Sequence, residues 1–176
     1  MSMRSALATA VLVLLGLTAP ARAEGPGLGR PATPEEMAAW DISIGPDGAG
    51  LPPGHGTATE GAAVFAAKCA GCHGEKGVGK PNDALVGGVG SLAGEQPPVK
   101  TVGSFWPYAT TLFDYVRRAM PLGASKSLND GEVYALCAYI LQQNGVIAEN
   151  DVIDAKSLAK VQMPNRAGFI PFSRAK

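Results

Sequence analysis

The apolar and polar positions of this chain divide it into an exported start, an irregular arm, a helical body and a tail. Ala6 to Leu17 is an almost continuous apolar run behind the short basic start Met1 to Arg4, and Ala21-Arg22-Ala23 follows with small residues around one arginine. That order predicts a secretory signal peptide over residues 1–23, cleaved after Ala23. The run is shorter than the ~20 residues a bilayer span needs, so an uncleaved anchor is the weaker reading. With no later apolar run of spanning length, the mature chain is expected to be periplasmic and without a transmembrane segment. Residues 24–58 carry Gly45-Pro46-Asp47-Gly48 and Leu51-Pro52-Pro53-Gly54, turn chemistry that predicts an irregular arm, pinned to the body by Trp40 and Ile42 to Ile44.

Residues 59–145 form the expected body. Thr59 to Lys68 has helical composition through Ala62, Ala63, Val64, Phe65, Ala66 and Ala67, whereas glycine and proline dominate Gly71 to Pro98 and predict loops. A second helix is predicted over Tyr108 to Ala119, stopped at Met120 because the following Pro121 disfavours helical geometry at the residue before it. A third starts at Asn129 as N-cap with Glu132 reaching back, places Val133, Leu136, Cys137 and Ile140 at helical spacing, and stops at Gly145. Residues 146–176 are a tail with a short helix expected around Asp151 to Leu158. No alternation is long enough for a sheet, and the fold class expected is all-α.

Composition narrows the chemistry. In 176 residues there are 15 basic and 15 acidic side chains, and the mature chain would keep 13 basic against 15 acidic, which excludes a basic nucleic-acid module and any nucleic-acid partner. Three cysteines cannot build a disulfide framework in a chain of this length. Aromatics make up only 6%, so the core relies on aliphatic side chains or on a large group brought in from outside.

Cys69-Ala70-Gly71-Cys72-His73 supplies that group. A C-x-x-C-H sequence is the attachment signature of c-type haem: two thiols three positions apart can each form a thioether to a vinyl group, with the neighbouring imidazole held beneath the iron. A thioredoxin-like pair would need a preceding strand, where the composition here is helical, and a zinc site would need two further ligands where only Cys137 and His55 remain. The expected cofactor is one covalently attached haem c, bound by Cys69, Cys72 and His73. Gly74-Glu75-Lys76-Gly77-Val78-Gly79-Lys80 begins like a phosphate-binding loop, but Pro81 stands where Ser or Thr is required, so it reads as a loop flanking the haem.

The second axial ligand has four candidates, Met120, Met163, Met37 and His55. Met120 is best placed, because in Arg118-Ala119-Met120-Pro121 the chain must leave helical geometry and can turn a thioether inward. Met163 suits packing of the tail, and His55, between two glycines, suits a solvated loop. Iron held by His73 and Met120 has no open position, which describes an electron carrier and not an enzyme. The rival is a haem enzyme or ligand sensor, in which Met120 does not bind and the iron stays open. Trp106, Tyr108, Tyr115, Arg117 and Arg118 are candidates to meet the haem propionates. The two arginines point about 100° apart, so one is expected to do so, with a solvated pairing to Asp114, their ordinary helical partner, as an equal alternative.

Gly61 and Phe65 before Cys69, Leu136 and Tyr139 on the third helix, and the position of Met120 resemble the class I c-type cytochromes. The resemblance covers about Thr59 to Gly145 and implies that first and last helices cross, with a carbonyl of the Lys80-Pro81 region accepting a hydrogen bond from the His73 imidazole. A closer likeness extends over Trp40-Asp41-Ile42, Pro46-Asp47-Gly48, Phe105 to Tyr115, Arg117 to Pro121 and Met163-Pro164-Asn165-Arg166. These residues resemble the monohaem cytochromes that partner periplasmic molybdenum sulfite dehydrogenases, and the related cytochrome subunit of sulfane dehydrogenase. The resemblance implies single electrons accepted from a molybdenum sulfite dehydrogenase and passed to a downstream cytochrome c or terminal oxidase. A single C-x-x-C-H favours the sulfite over the sulfane assignment. Cys137 departs from the group's pattern, where a small polar residue is expected, and reads as a buried thiol acting as a small hydrophobe.

Overall fold

A computed structural model describes residues 25–170, so the expected signal peptide lies outside the described residues. The chain divides into two units, 1–39 and 40–176. Helix α1, Pro34–Trp40, begins in the first unit and ends on Trp40, the first residue of the second. Its start is capped reciprocally: the Glu36 amide donates to Thr33 Oγ1 at 3.2 Å and the Thr33 amide donates to Glu36 Oε2 at 2.9 Å. A helix here corrects the expectation of a wholly irregular arm; Thr33-Pro34-Glu35-Glu36 is a capping box with proline at the first helical position.

The second unit is built on three helices. Strand β1, His55–Thr57, leads into α2, Ala58–Lys68, whose N-cap Thr57 accepts from the Glu60 amide while the Glu60 carboxylate accepts from the Thr57 amide at 2.8 Å. Ala58, Gly61 and Phe65 face inward at helical spacing. The short helices α3, Ala70–His73, and α4, Val102–Phe105, precede α5, Ala109–Ala119, which buries Ala109, Leu112, Phe113 and Val116. Helix α6, Asp130–Gln143, carries the expected Asn129–Glu132 capping box at 2.9 and 3.0 Å and is buried nearly all round from Val133 to Leu141, the signature of a central core helix.

Helices α2 and α6 cross at Gly61, where a Cβ would overlap the Ala135 carbonyl. Below the crossing Phe65 meets Tyr139, ring centroids 5.1 Å apart, and Phe113 of α5 meets Tyr134 at 4.5 Å. Lys68 Nζ reaches Glu132 Oε1 at 2.6 Å and ties the end of α2 to the start of α6.

Arm and tail meet in a two-stranded antiparallel sheet, β1 with β2, Val152–Asp154, in which Gly56 pairs with Ile153. This corrects both the absence of a sheet and the helix expected around Asp151 to Leu158. The Asp154 carboxylate captures the amides of Lys156 and Ser157 at 2.8 and 2.7 Å, a local alternative to helical bonding. Only a 3-10 turn, Leu158–Lys160, survives of that helix. The arm is held by Ile44 and Leu51 against the core, by the Ile44 amide on Asp114 Oδ1 at 3.2 Å and by the Tyr134 hydroxyl on the Pro52 carbonyl at 2.7 Å. Trp40, expected as a pin, is 79% exposed, with only the Lys126 ammonium over its ring. The tail is fastened by buried Leu158 and Met163 and by Asn165, whose side-chain amide donates to the Phe105 carbonyl at 2.7 Å.

Two outcomes test this packing. Gly61→Ala pushes α2 off α6, and a loss of about 1–3 kcal/mol in chemical denaturation is expected, the range for overpacking a close contact. Hydrogen bonding from Lys68 holds the Glu132 carboxyl below its ordinary 4.5. A lowered folded value means stability that is present above 4.5 and is lost as pH falls through the folded value. Glu132→Gln keeps the capping geometry, so its denaturation midpoint should fall less steeply below that pH than the parent's, by well under ~1 kcal/mol for so exposed a pair.

Candidate functional site: a cavity between a thiol–imidazole turn and a methionine

The site grows from the end of α2. The Cys69 amide still bonds back to the Phe65 carbonyl at 2.9 Å, but Cys69 leaves helical geometry, and the Cys72 and His73 amides both return to the Cys69 carbonyl, at 3.1 and 3.0 Å. The kinked turn presents Cys69, Cys72 and His73 to one cavity of about 500 Å³. Burial pushes the Cys69 thiol up to about 11, so it is a neutral thiol at neutral pH.

The glycine-rich segment after His73 is a folded loop, preceded by a helix and not by a strand. Gly74 turns at φ 75° against Gly79, where a Cβ would overlap the Gly79 carbonyl. Gly79 then donates to the His73 carbonyl at 2.8 Å and Asn82 to the Cys72 carbonyl at 2.9 Å. This return places the Asp83 carbonyl 2.9 Å from His73 Nδ1. A carbonyl can only accept, so Nδ1 carries the proton and Nε2 keeps its lone pair free for a metal. The resemblance implied a carbonyl of the Lys80-Pro81 region; the acceptor lies two residues beyond Pro81.

Met120 enters from another element. It is the extended C-cap of α5, φ −112° and ψ 149°, its amide still bonded to Val116 at 3.1 Å, and it lines the same cavity as His73. Of the other candidates, Met163 is 3% exposed within the core and His55 is exposed on β1, and neither lines the cavity; Met37 is exposed on α1, in the first unit. Phe65, Val102, Leu112, Val116, Leu136 and Ile140 form apolar walls, with Trp106 and Tyr115 stacked edge to face at 5.9 Å. Cys137 is fully buried off the cavity, its thiol pushed far up by burial, in keeping with a packing role.

The two arginines expected as candidates for the propionates lie off the cavity. Arg117 pairs with Asp130 at 3.0 Å and Arg118 with Asp114 at 2.8 Å, and neither lines the cavity. Tyr108 is also elsewhere, under the Arg166 guanidinium at 4.5 Å. The cations of the lining are Lys68 and Lys100, which the sequence did not single out because neither belongs to a motif.

The donor set suits one kind of group. Among the described residues no three His, Cys, Asp or Glu side chains are placed to hold a metal ion by themselves. Two thiols, a metal-ready imidazole and a thioether around an apolar cavity instead fit a flat macrocycle that carries its own iron, and the volume lies within the usual range for cofactor pockets.

Comparison with known proteins agrees. The family model described as "Cytochrome C oxidase, cbb3-type, subunit III" matches residues 56–140, which contain the C-x-x-C-H motif, Met120, helix α2 and most of α6. A chain of the sulfane dehydrogenase SoxCD from Paracoccus pantotrophus is 44% identical, with a TM-score of 0.78, over 85% of this chain and 74% of that one. No curated protein matches the chain. A cytochrome c domain implies haem c and electron transfer, and the likeness brings in a sulfur-oxidation context. The chain belongs to the c-type cytochromes, with the class I fold, and is related to the cytochrome subunit of sulfane dehydrogenase.

Proposed function

We propose that this chain is a periplasmic monohaem cytochrome that takes single electrons from a molybdenum dehydrogenase oxidising a sulfur compound, and hands them to a downstream cytochrome c or terminal oxidase. The observation that carries the reading is that His73, its Nδ1 tied to Asp83, and Met120 line one apolar cavity from separate elements. Cys69 and Cys72 would hold one haem c by thioethers, and His73 Nε2 and the Met120 sulfur would bind its iron. Bound so, haem supplies a one-electron couple with no position open to substrate, at a potential raised by the thioether.

The chain's own residues do the rest. The Asp83 carbonyl keeps the imidazole oriented, and the walls from α2, α5 and α6 keep water from the centre. The exposed Cys72 marks the edge where a redox partner would approach, through the small, transient kind of interface such encounters use. Among the described residues no helix is long and apolar enough to cross a membrane, which suits an exported carrier.

Two donors are supported by different observations. Sulfite dehydrogenase is supported by the one C-x-x-C-H of this sequence and sulfane dehydrogenase by the 44% identity to a SoxCD chain, while the resemblance in the arm and second helix is shared by both groups. Stopped-flow mixing of the oxidised protein with each dehydrogenase and its substrate separates them. Fast haem reduction is expected with sulfite and its enzyme, and reduction only by the sulfane enzyme would transfer the assignment. Met120→Ala should abolish the weak sulfur-to-iron absorption band at the red end of the spectrum; its persistence would remove Met120 as ligand.

A further inference from the structure

We propose that Lys100 is the cation that meets a haem carboxylate and thereby holds up the reduction potential of the centre. The inference rests on the haem reading above. A haem bound in this cavity brings two propionate carboxylates, and a carboxylate taken out of water needs a charged or hydrogen-bonding partner. The positively charged side chains of the lining are Lys68 and Lys100. The Lys68 ammonium is engaged at 2.6 Å by Glu132, and both arginines of α5 are paired away from the cavity. Lys100 makes no ion pair among the described residues; its ammonium rests over the Phe105 ring, 5.1 Å from the centroid. Asp83 is the one acidic residue of the lining, and its carbonyl is committed to His73.

The position of Lys100 is built. Before it, the Val99 amide donates to Ser91 Oγ at 3.0 Å and the Val99 carbonyl accepts from Ser104 Oγ at 2.6 Å. After it, the buried Thr101 donates its hydroxyl to the Gly87 carbonyl at 2.6 Å and its amide to Ser104 Oγ at 2.8 Å. The backbone at Lys100 is thus fixed on both sides at the cavity wall, and only the flexible stem has to turn from the Phe105 face to a carboxylate. Adding an electron to the centre is favoured by a nearby cation, more so where the surroundings exclude water.

The test is the reduction potential of the holoprotein and of Lys100→Gln, Lys100→Arg and Lys156→Gln, the last an exposed lysine off the cavity. Lys100→Gln should lower the equilibrium constant for reduction threefold to tenfold, about 30 to 60 mV at 59 mV per tenfold for one electron. Lys100→Arg should stay near the parent, and added salt should shrink the Gln effect. A Lys100→Gln potential no different from that of Lys156→Gln overturns the proposal, leaving Lys100 a surface lysine packed on Phe105. Haem staining and the methionine-to-iron band on the same samples separate the two levels. Their absence from the parent protein overturns the haem reading and the Lys100 proposal together; their presence beside an unmoved potential overturns only the latter.

Discussion

The close crossing of α2 on α6 at Gly61 is the contact on which the rest depends. With no side chain at Gly61, the helix backbones meet at Ala135, and that proximity does two things at once. It aims the C-terminal end of α2, with Cys69, Cys72 and His73 in the turn that follows, at the cavity, and it brings Leu136 and Ile140 of α6 into the cavity wall. Phe65 fills the angle between the helices against Tyr139. The Cys69–His73 turn and the wall it faces are therefore placed by one packing decision, reinforced at the edge by Lys68 and Glu132.

The two sides of the cavity are then positioned by different physics. On the His73 side, backbone hydrogen bonds in a glycine-rich loop carry the Asp83 carbonyl under the imidazole and choose its tautomer. On the Met120 side, the covalent restriction that Pro121 places on its predecessor ends α5 at that residue. Asp114 links this helix outward, accepting from the Ile44 amide of the arm while pairing with Arg118 in the last turn. Tail and arm close over the body through the β1–β2 pairing and the Asn165 bond to Phe105. These extensions steady the segment that carries Trp106 into the cavity.

Much of this was legible in the residues. The spacing of Cys69, Cys72 and His73 singled them out as one group, and the structure places them with Met120, the methionine favoured on the grounds of its proline, at one cavity. Helices α5 and α6 were readable from Tyr108 and from the Asn129–Glu132 box because those signals are local. The sheet was not, since three-residue strands give no alternation to read and pair residues about a hundred positions apart. Helix α1 was hidden by its glycine- and proline-rich surroundings although its capping box is plain. The arginine pairings were half legible for a related reason: helical spacing shows Asp114 within reach of Arg118, but Asp130, the partner of Arg117, comes near only through the packing of α5 on α6. For the same reason Lys100 carries no sequence signal, as its place at the cavity depends on the fold of the loop before α4.

The central claim, a closed electron-transfer centre between His73 and Met120, meets its most direct test in the visible spectrum of the exported protein, oxidised and dithionite-reduced, with and without carbon monoxide. The account predicts sharp reduced bands that carbon monoxide does not move, with a weak methionine-to-iron band in the oxidised form. A carbon monoxide shift would contradict it: the iron would then have an open position, and a ligand-binding enzyme or sensor would replace the electron carrier.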